Sequence, residues 1–539
     1  MASNGSGAGK TTAQVMADVL HAYGVARLFG LPGGGSNLEM IDACAALGID
    51  YVLAHTECAA GIMAATDGNI GKRPGVVCTG LGPGATAVTN AVAYAALDRS
   101  PLLVLTDSYQ PGEHDHILHQ TVDHAALFGT LVKASRRAMP ENAGETLAEL
   151  LDLALTPPVG PVHIDLSAAV AATPAANFSA KPNIPPPALE GDAHAARELL
   201  GSARRPAIVA GIQCRSDEAA AAVARLADRL ACPVLTSYKA KGVFPDGAPR
   251  HAGLFTGARA EAAWLEDCDL LILYGMDPVE LVASPWPYDM PVLELAEVEI
   301  RPHYTEPAVS LFGPLPDLAD ALMEAAHPAN WPGEPAPLDL TESGEGLTPQ
   351  AVVRAAINAA PEHTRLTIDA GAHMLPPMSL WPAKAPFDVQ ISNGLSTMAF
   401  ALPAAIATAL AEPGRQVLAI TGDGGLAMCL GELATAARNS VPVTVIVLND
   451  AALSLIDVKQ EQRGFTRRGM RYPELDFATI ATGTGCRAAL ANDEASLAAA
   501  LTEAFESNSP MLIDARIDAS GYRAMFEAIR GAPGVAANA

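Results

Sequence analysis

The sequence predicts an α/β protein of three doubly wound parallel-sheet domains. Short β-branched or apolar runs, such as 206–210 and 443–448, alternate with segments whose apolar residues recur at helical spacing, the pattern of βαβ units. Two Pro-rich stretches without periodicity, 173–192 and 328–346, read as linkers between parts of ordinary domain size. The expected domains are 1–175, 190–330 and 347–539.

The first part reads as an amphipathic helix over 12–23, a strand over 26–31, the turn LPGGGSN (31–37), a helix over 38–47 and a strand over 50–55. A helix then opens at Glu57 and runs through ECAAGIMAATDGNIG. A strand over 75–79 leads through the Gly-rich GLGPGATA (80–87) into a helix ending at Ala96, and 101–106 is the next strand. The middle part has strands at 206–210, 233–236 and 270–273, with helices over 217–230 and 258–267. In the third part a helix starts at Thr348 and a strand at 366–368 precedes DAGAHM (369–374). The apolar run 398–411 contains Pro403 and is too short to span a bilayer. Strands at 417–420 and 443–448 flank a helix over 426–439, and 518–534 reads as a closing helix.

The organising stretch is VLAITGDGGLAMCLGELATAARNSVPVTVIVLND (417–450). Ligands of open α/β sheets sit at the carboxyl ends of the strands, and there the sequence places Asp423 and Asn449-Asp450. Two hard oxygen donors beside a Gly-rich turn suit Mg²⁺ shared with a diphosphate. An ordinary βα turn with a solvated Asp is the competing reading of the GDG alone. Glu57 likewise follows a strand and opens a helix, where a first-turn Glu also complements the helix dipole.

Asp450 lies 27 positions after Asp423, and this pairing resembles the GDG…NN motif of the thiamine diphosphate enzymes that include acetolactate synthase, pyruvate decarboxylase and benzaldehyde lyase. The resemblance implies Asp423 and Asp450 as Mg²⁺ ligands, with the Ala452 carbonyl completing the set and Gly422, Gly424 and Gly425 beside the diphosphate. Asp450 stands where Asn is common, which keeps an oxygen donor and adds a charge. HTECAAGIMAATDGNIGKRPGVVCTGLGPGATA resembles the first domain of acetolactate synthases, so Glu57 is implied as the residue that hydrogen-bonds the cofactor's aminopyrimidine and drives proton removal from its thiazolium. Gly371, Ala372 and His373 stand at the family's GQH. SNGLSTMAFALPAAIATAL (392–410) resembles SGGLGTMGFGLPAAIGA, which puts Ser396 beside the cofactor and makes Met398 the wedge that bends it.

The same resemblance assigns the substrate side. Gly33 and Gly34 line the pocket, and Gln120 and His119 of HILHQT contact the reacting carbonyls. The loop also carries His114, His116 and His124, but no Cys or carboxylate completes a zinc spacing, so metal is not expected there. Ile456 replaces the Glu that decarboxylases use to release aldehyde, and Lys459 stands where many acetolactate synthases have Trp. These residues imply a carboligase that decarboxylates a pyruvate-like 2-oxo acid and adds the enamine to a second carbonyl. The alternatives are a 2-oxo acid decarboxylase or acyloin lyase running half of that cycle, and a cofactor-binding relic, against which Glu57 speaks. FAD, which the family sometimes holds in its central domain, is disfavoured because GLFTG and GMDPVEL match its contacts poorly. A homodimer or tetramer is implied, with Glu57 of one subunit serving the diphosphate site of another.

Composition sets the outer limits. Half the residues are hydrophobic and 17% are charged, enough for large cores. A net charge of −25 argues against nucleic acid or anionic membrane as a partner. Eight scattered Cys without a CxxC pair read as reduced thiols, and the N-terminus lacks an apolar signal region, so a cytoplasmic protein is expected. GSGAGKTT near the N-terminus fails the P-loop pattern, because Asn4 stands where Gly is required.

Overall fold

A computed structural model describes residues 9–110, 112, 116–281, 285–333, 338–340, 342 and 344–531. The chain forms two compact units, one running to Pro185 and taking in Ile406–Pro413 and Cys429–Thr435, the other comprising the rest. The first unit holds one six-stranded sheet and the second holds two further sheets.

In the first unit the strand order is Asp50–Leu53, Arg27–Leu31, Gly75–Thr79, Leu102–Ser108, Val162–Ser167 and Ser135–Arg137, all parallel. Its central strands are buried along their whole length, which is why they read as apolar runs rather than alternations. The chain reverses direction across the sheet between Arg27–Leu31 and Gly75–Thr79, and this is its switch point. The helix Glu57–Gly71 begins where the Thr56 hydroxyl accepts the Ala59 N–H at 3.1 Å, and it ends at Lys72 in a left-handed cap.

The second unit's seven-stranded sheet runs His251–Leu254, Val234–Thr236, Pro206–Ala210, Leu270–Tyr274, Val292–Ala296, Val309–Phe312 and Glu190–Gly191, with only the last strand antiparallel. That short strand comes from the stretch expected to be a linker. The six-stranded sheet is parallel throughout, in the order Val389–Ile391, Arg365–Ile368, Val417–Gly422, Val443–Asn449, Met511–Arg516 and Arg487–Ala491. Three mostly parallel sheets with flanking helices are the architecture expected from the sequence.

Two helices depart from expectation. The single helix over 426–439 is split into Asp423–Ala427 and Gly431–Arg438. The first piece closes as the Met428 N–H turns back to the Gly425 and Leu426 carbonyls. Gly431 then packs on His55, whose Cβ would lie 2.8 Å from an added side chain. The helix over 258–267 shrinks to Ala262–Leu265, because the buried Glu261 carboxylate draws the N–H groups of Thr256 and Ala258 into a turn.

The switch point of the seven-stranded sheet lies between Pro206–Ala210 and Leu270–Tyr274. The Glu280 carboxylate, 4% exposed, fills it. One oxygen accepts the N–H groups of Ile212 at 2.8 Å and Asp277 at 2.9 Å, and the other accepts the Ser237 hydroxyl. Burial lifts this carboxyl from 4.5 to about 7 despite those bonds. It therefore holds its proton more tightly folded than unfolded. Its contribution to stability is full below about pH 4.5 and is lost as pH rises through about 7, by up to about 3 kcal/mol. Glu280→Gln removes the titration and keeps an acceptor for the two N–H groups. We predict that it leaves the Tm near pH 5 unchanged and raises it at pH 8; equal Tm values at both pH values would contradict the assignment.

Candidate active site

The second unit gathers its chemistry at the carboxyl ends of three adjacent strands, Arg365–Ile368, Val417–Gly422 and Val443–Asn449, which deliver Asp369, Asp423 and Asp450. Asp423 is 2% exposed. Its Oδ1 accepts the Tyr472 hydroxyl and the Gly424 N–H, both at 2.7 Å, whereas its Oδ2 is buried without a hydrogen-bond partner. Burial raises its carboxyl, while the bonds from Tyr472 and Gly424 pull it down. Asp450 is lifted to about 6, first by burial and then by the charge of Asp423, with the Ser454 hydroxyl bond opposing. A buried carboxylate with an unpartnered oxygen beside a second, half-buried one is unfavourable alone, and their donor set fits a hard divalent cation. Ala452, implied as a carbonyl ligand, is buried beside them.

His373 lies against the same turn. A Cβ at Gly422 would come within 2.6 Å of its Nδ1, so only glycine fits there. Burial lowers this imidazole to about 4, and its Nε2 is buried without a hydrogen-bond partner. An unused polar atom between Gly371, Ala372 and Gly422 fits contact with a diphosphate.

Asp369 binds the segment that carries Met398. It is 1% exposed and accepts the N–H groups of Ala370, Ala399 and Phe400 at 2.9, 3.1 and 3.2 Å, and the Thr421 hydroxyl at 2.9 Å. Burial raises it to about 6 against those four bonds. The Met398 Cε approaches within 3.6 Å of a Cβ built on Gly424. Ser396 (φ 56°) and Ala399 (φ 64°) are both left-handed, a conformation costly for residues other than glycine, and the family pattern has Gly at both. Ser396 is exposed and its hydroxyl donates to the Asn393 carbonyl at 2.9 Å. Ile456 and Lys459 are both exposed on the helix Ser454–Gln462, three positions apart.

The first unit has a cavity of about 590 Å³ at its own switch point, lined among others by Gly33, Gly34, Glu57, Gly84, Asp107 and Gln120. Gly33 sits so close to Gly80 that a Cβ would lie 3.1 Å from its Cα. Glu57 is half-buried, and no hydrogen bond among the described residues reaches its carboxylate. Gln120 is left-handed (φ 57°), and its carbonyl lies against Gly82, where an added Cβ would come within 2.5 Å.

The histidines of this loop separate. His119 and His116 are exposed and do not line the cavity, and His114 lies outside the described residues. His124 points inward: its Nε2 accepts the Gly82 N–H at 3.3 Å and its Nδ1 meets Asp165 at 2.8 Å. With His163 it forms a buried group at metal-ligand spacing, but Thr106 stands among the three, donating to Asp165 at 2.7 Å and lying 2.8 Å from the His163 Nε2. A satisfied polar network accounts for the group.

The sequence reading assigned no role to Asp369, Tyr472 or Asp165. Asp369 carried the signal of an acid at a strand's carboxyl end; Tyr472 and Asp165 had none.

Comparison with known proteins decides the family. The pattern described as "Thiamine pyrophosphate enzyme, N-terminal TPP binding domain" matches residues 10–127, the central domain of the same enzymes matches 193–322, and the C-terminal TPP binding domain matches 369–515. The chain belongs to the thiamine pyrophosphate enzymes. Within that family it is 29% identical over 551 residues to the acetolactate synthase isozyme 1 large subunit of Escherichia coli (strain K12), covering 96% of each chain. It is 27% identical to the putative thiamine pyrophosphate-containing protein YdaP of Bacillus subtilis (strain 168), covering 94% of this chain and 92% of that one. It is 29% identical to the probable 2-ketoarginine decarboxylase AruI of Pseudomonas aeruginosa, covering 94% of both. Its fold superposes on the thiamine diphosphate-dependent 4-hydroxybenzoylformate decarboxylase of Rhodococcus jostii RHA1 with a TM-score of 0.84 at 24% identity, covering 94% of this chain and 99% of that one. No helix among the described residues is long and apolar enough to cross a membrane.

The left-handed Ala399 yields a test of the segment that carries Met398. Ala399→Gly is expected to stabilise the protein by about 1 kcal/mol through relief of backbone strain. The measurement is the urea midpoint, which should rise with unchanged slope; a fall would mean that the strain is absent.

Proposed function

We propose that the protein is a thiamine diphosphate- and Mg²⁺-dependent carboligase that decarboxylates a pyruvate-like 2-oxo acid and adds the remaining carbon unit to a second carbonyl, as acetolactate synthases do. Its three sheets are read as pyrimidine-binding, central and diphosphate-binding domains spanning 1–175, 190–330 and 347–539. The cofactor supplies a stabilised carbanion when bound. Asp423, Asp450 and the Ala452 carbonyl would hold Mg²⁺, His373 and the glycines 371, 422, 424 and 425 would receive the diphosphate beside Ala372, and Ser396 and Met398 would lie at the ring end. Tyr472 holds Asp423 in orientation through Oδ1 and leaves Oδ2 as the oxygen that would be available to a cation. Glu57 moves the proton at the aminopyrimidine. Gln120 orients the reacting carbonyl in a pocket floored by Gly33 and Gly34, and His119 joins it from the exposed loop.

The observation that carries ligation over simple decarboxylation is Ile456. An apolar, 42% exposed side chain stands where a decarboxylase needs an acid to protonate the product carbon. Lys459 on the same helix gives the acceptor side a cationic neighbour. A decarboxylase acting without ligation is the second reading, favoured by the similarity to the probable 2-ketoarginine decarboxylase. FAD stays possible but not favoured, since Glu280 takes the donors at the central sheet's switch point.

Incubation with pyruvate, with and without added aldehydes, separates the two readings. Acetolactate or a mixed acyloin is the expected product; free acetaldehyde alone would favour the decarboxylase, and no pyruvate turnover at all would remove pyruvate as donor. We further propose a homodimer or tetramer in which Glu57 of one subunit serves the diphosphate site of another. Co-expressed Glu57→Gln and Asp423→Asn chains, each inactive alone, should then recover about a quarter of wild-type activity, since half the dimers are mixed and each holds one intact site. A mixture as inactive as its parents would argue for sites built within one chain.

A further inference from the structure

The turn that presents Glu57 is fixed from outside the strand and helix that carry it. Glu432, fully buried in the helix Gly431–Arg438, brings Oε1 to 3.1 Å from the backbone N–H groups of both His55 and Thr56. Its Oε2 accepts the Thr435 hydroxyl at 2.8 Å, and the His55 Nδ1 lies 2.9 Å from that same hydroxyl. Carboxylate, hydroxyl and imidazole thus close a ring around the two residues before Glu57. All of these residues lie in the first unit.

Thr56 is exposed but held by two hydrogen bonds. Its N–H is held by Glu432 and its side chain by the Ala59 N–H, so the backbone direction entering Glu57 is set at both ends. His55 is confined as well, because Gly431 lies against its Cβ. The carboxylate of Glu57, by contrast, has no described hydrogen bond of its own and takes its aim from this backbone. Removing the Glu432 carboxylate would take away the shared acceptor of two backbone N–H groups on an exposed turn and free that turn to move.

We propose that Glu432 is a positioning residue for Glu57, holding the 55–56 turn so that the Glu57 carboxylate meets the cofactor's aminopyrimidine. The proposal rests on the reading of Glu57 as the proton-moving group. Its contribution is geometric, and a displacement of this kind costs rate steeply.

The test is deuterium exchange at the thiazolium C2 of bound thiamine diphosphate, quenched in acid and read by proton NMR, which requires no turnover. Glu432→Ala is expected to slow exchange by at least about ten-fold, and Glu432→Gln, which keeps an acceptor oxygen for the two N–H groups, to stay within about three-fold of wild type. The thermal stabilisation given by thiamine diphosphate with Mg²⁺ should persist in both, since Asp423 and Asp450 are untouched. Wild-type exchange in Glu432→Ala would overturn the proposal, as would equal slowing in Glu432→Gln. If Glu432→Ala does not fold, Thr435→Val releases one side of the same carboxylate and should slow exchange measurably; an unchanged rate there overturns it too. Glu57→Gln, run alongside, should abolish exchange. Wild-type exchange in that variant would instead strike down the underlying reading of Glu57.

Discussion

A parallel sheet that reverses its winding opens a crevice where adjacent strands end, and backbone N–H groups point into it without partners from the sheet. Something must accept those hydrogen bonds. In each of the three sheets the residues just past the strand ends are chosen by that constraint, and the three answers differ. The central sheet is closed by its own carboxylate, Glu280, which takes two backbone N–H groups and a hydroxyl. The first sheet keeps its crevice open by using glycines, with Gly33 against Gly80, and a cavity remains. The third sheet places three acids at three strand ends. Asp369 is satisfied internally by four donors, and Asp423 keeps one oxygen unused.

Burial makes this distribution costly and therefore informative. A buried carboxylate with a full set of donors is a structural element, however far its proton affinity is raised. One left with an unused oxygen beside a second acid is poised for a cation. Glu280 and Asp423 are both deeply buried, yet only Asp423 has an oxygen to offer. The same comparison separates Asp165, surrounded by Thr106 and His124, from a metal ligand.

Much of this was legible in the sequence because the strands are buried on both faces and read as unbroken apolar runs. Val443–Asn449 and Leu102–Ser108 were found for that reason, and so were Asp423 and Asp450, which end such runs. What depended on long-range contact was not legible. The break before Gly431 depends on a histidine 376 positions earlier, and the shortened helix at Ala262 depends on the carboxylate of Glu261 turning back on its own chain. Tyr472 reaches Asp423 across 49 positions that carry no spacing rule. The loop histidines looked alike in sequence, and only the fold divides exposed His119 from buried His124.

Ser396 and Ala399 carry a further consequence. Glycine at these two positions would let the segment around Met398 wander among several backbone states. A serine and an alanine confine it to narrow wells, at some cost in strain. The segment is therefore already shaped before any ligand arrives, and little chain entropy is left to remove on docking. A site prepared in this way favours fast capture over gradual moulding, and its occupied and empty forms should differ little in backbone.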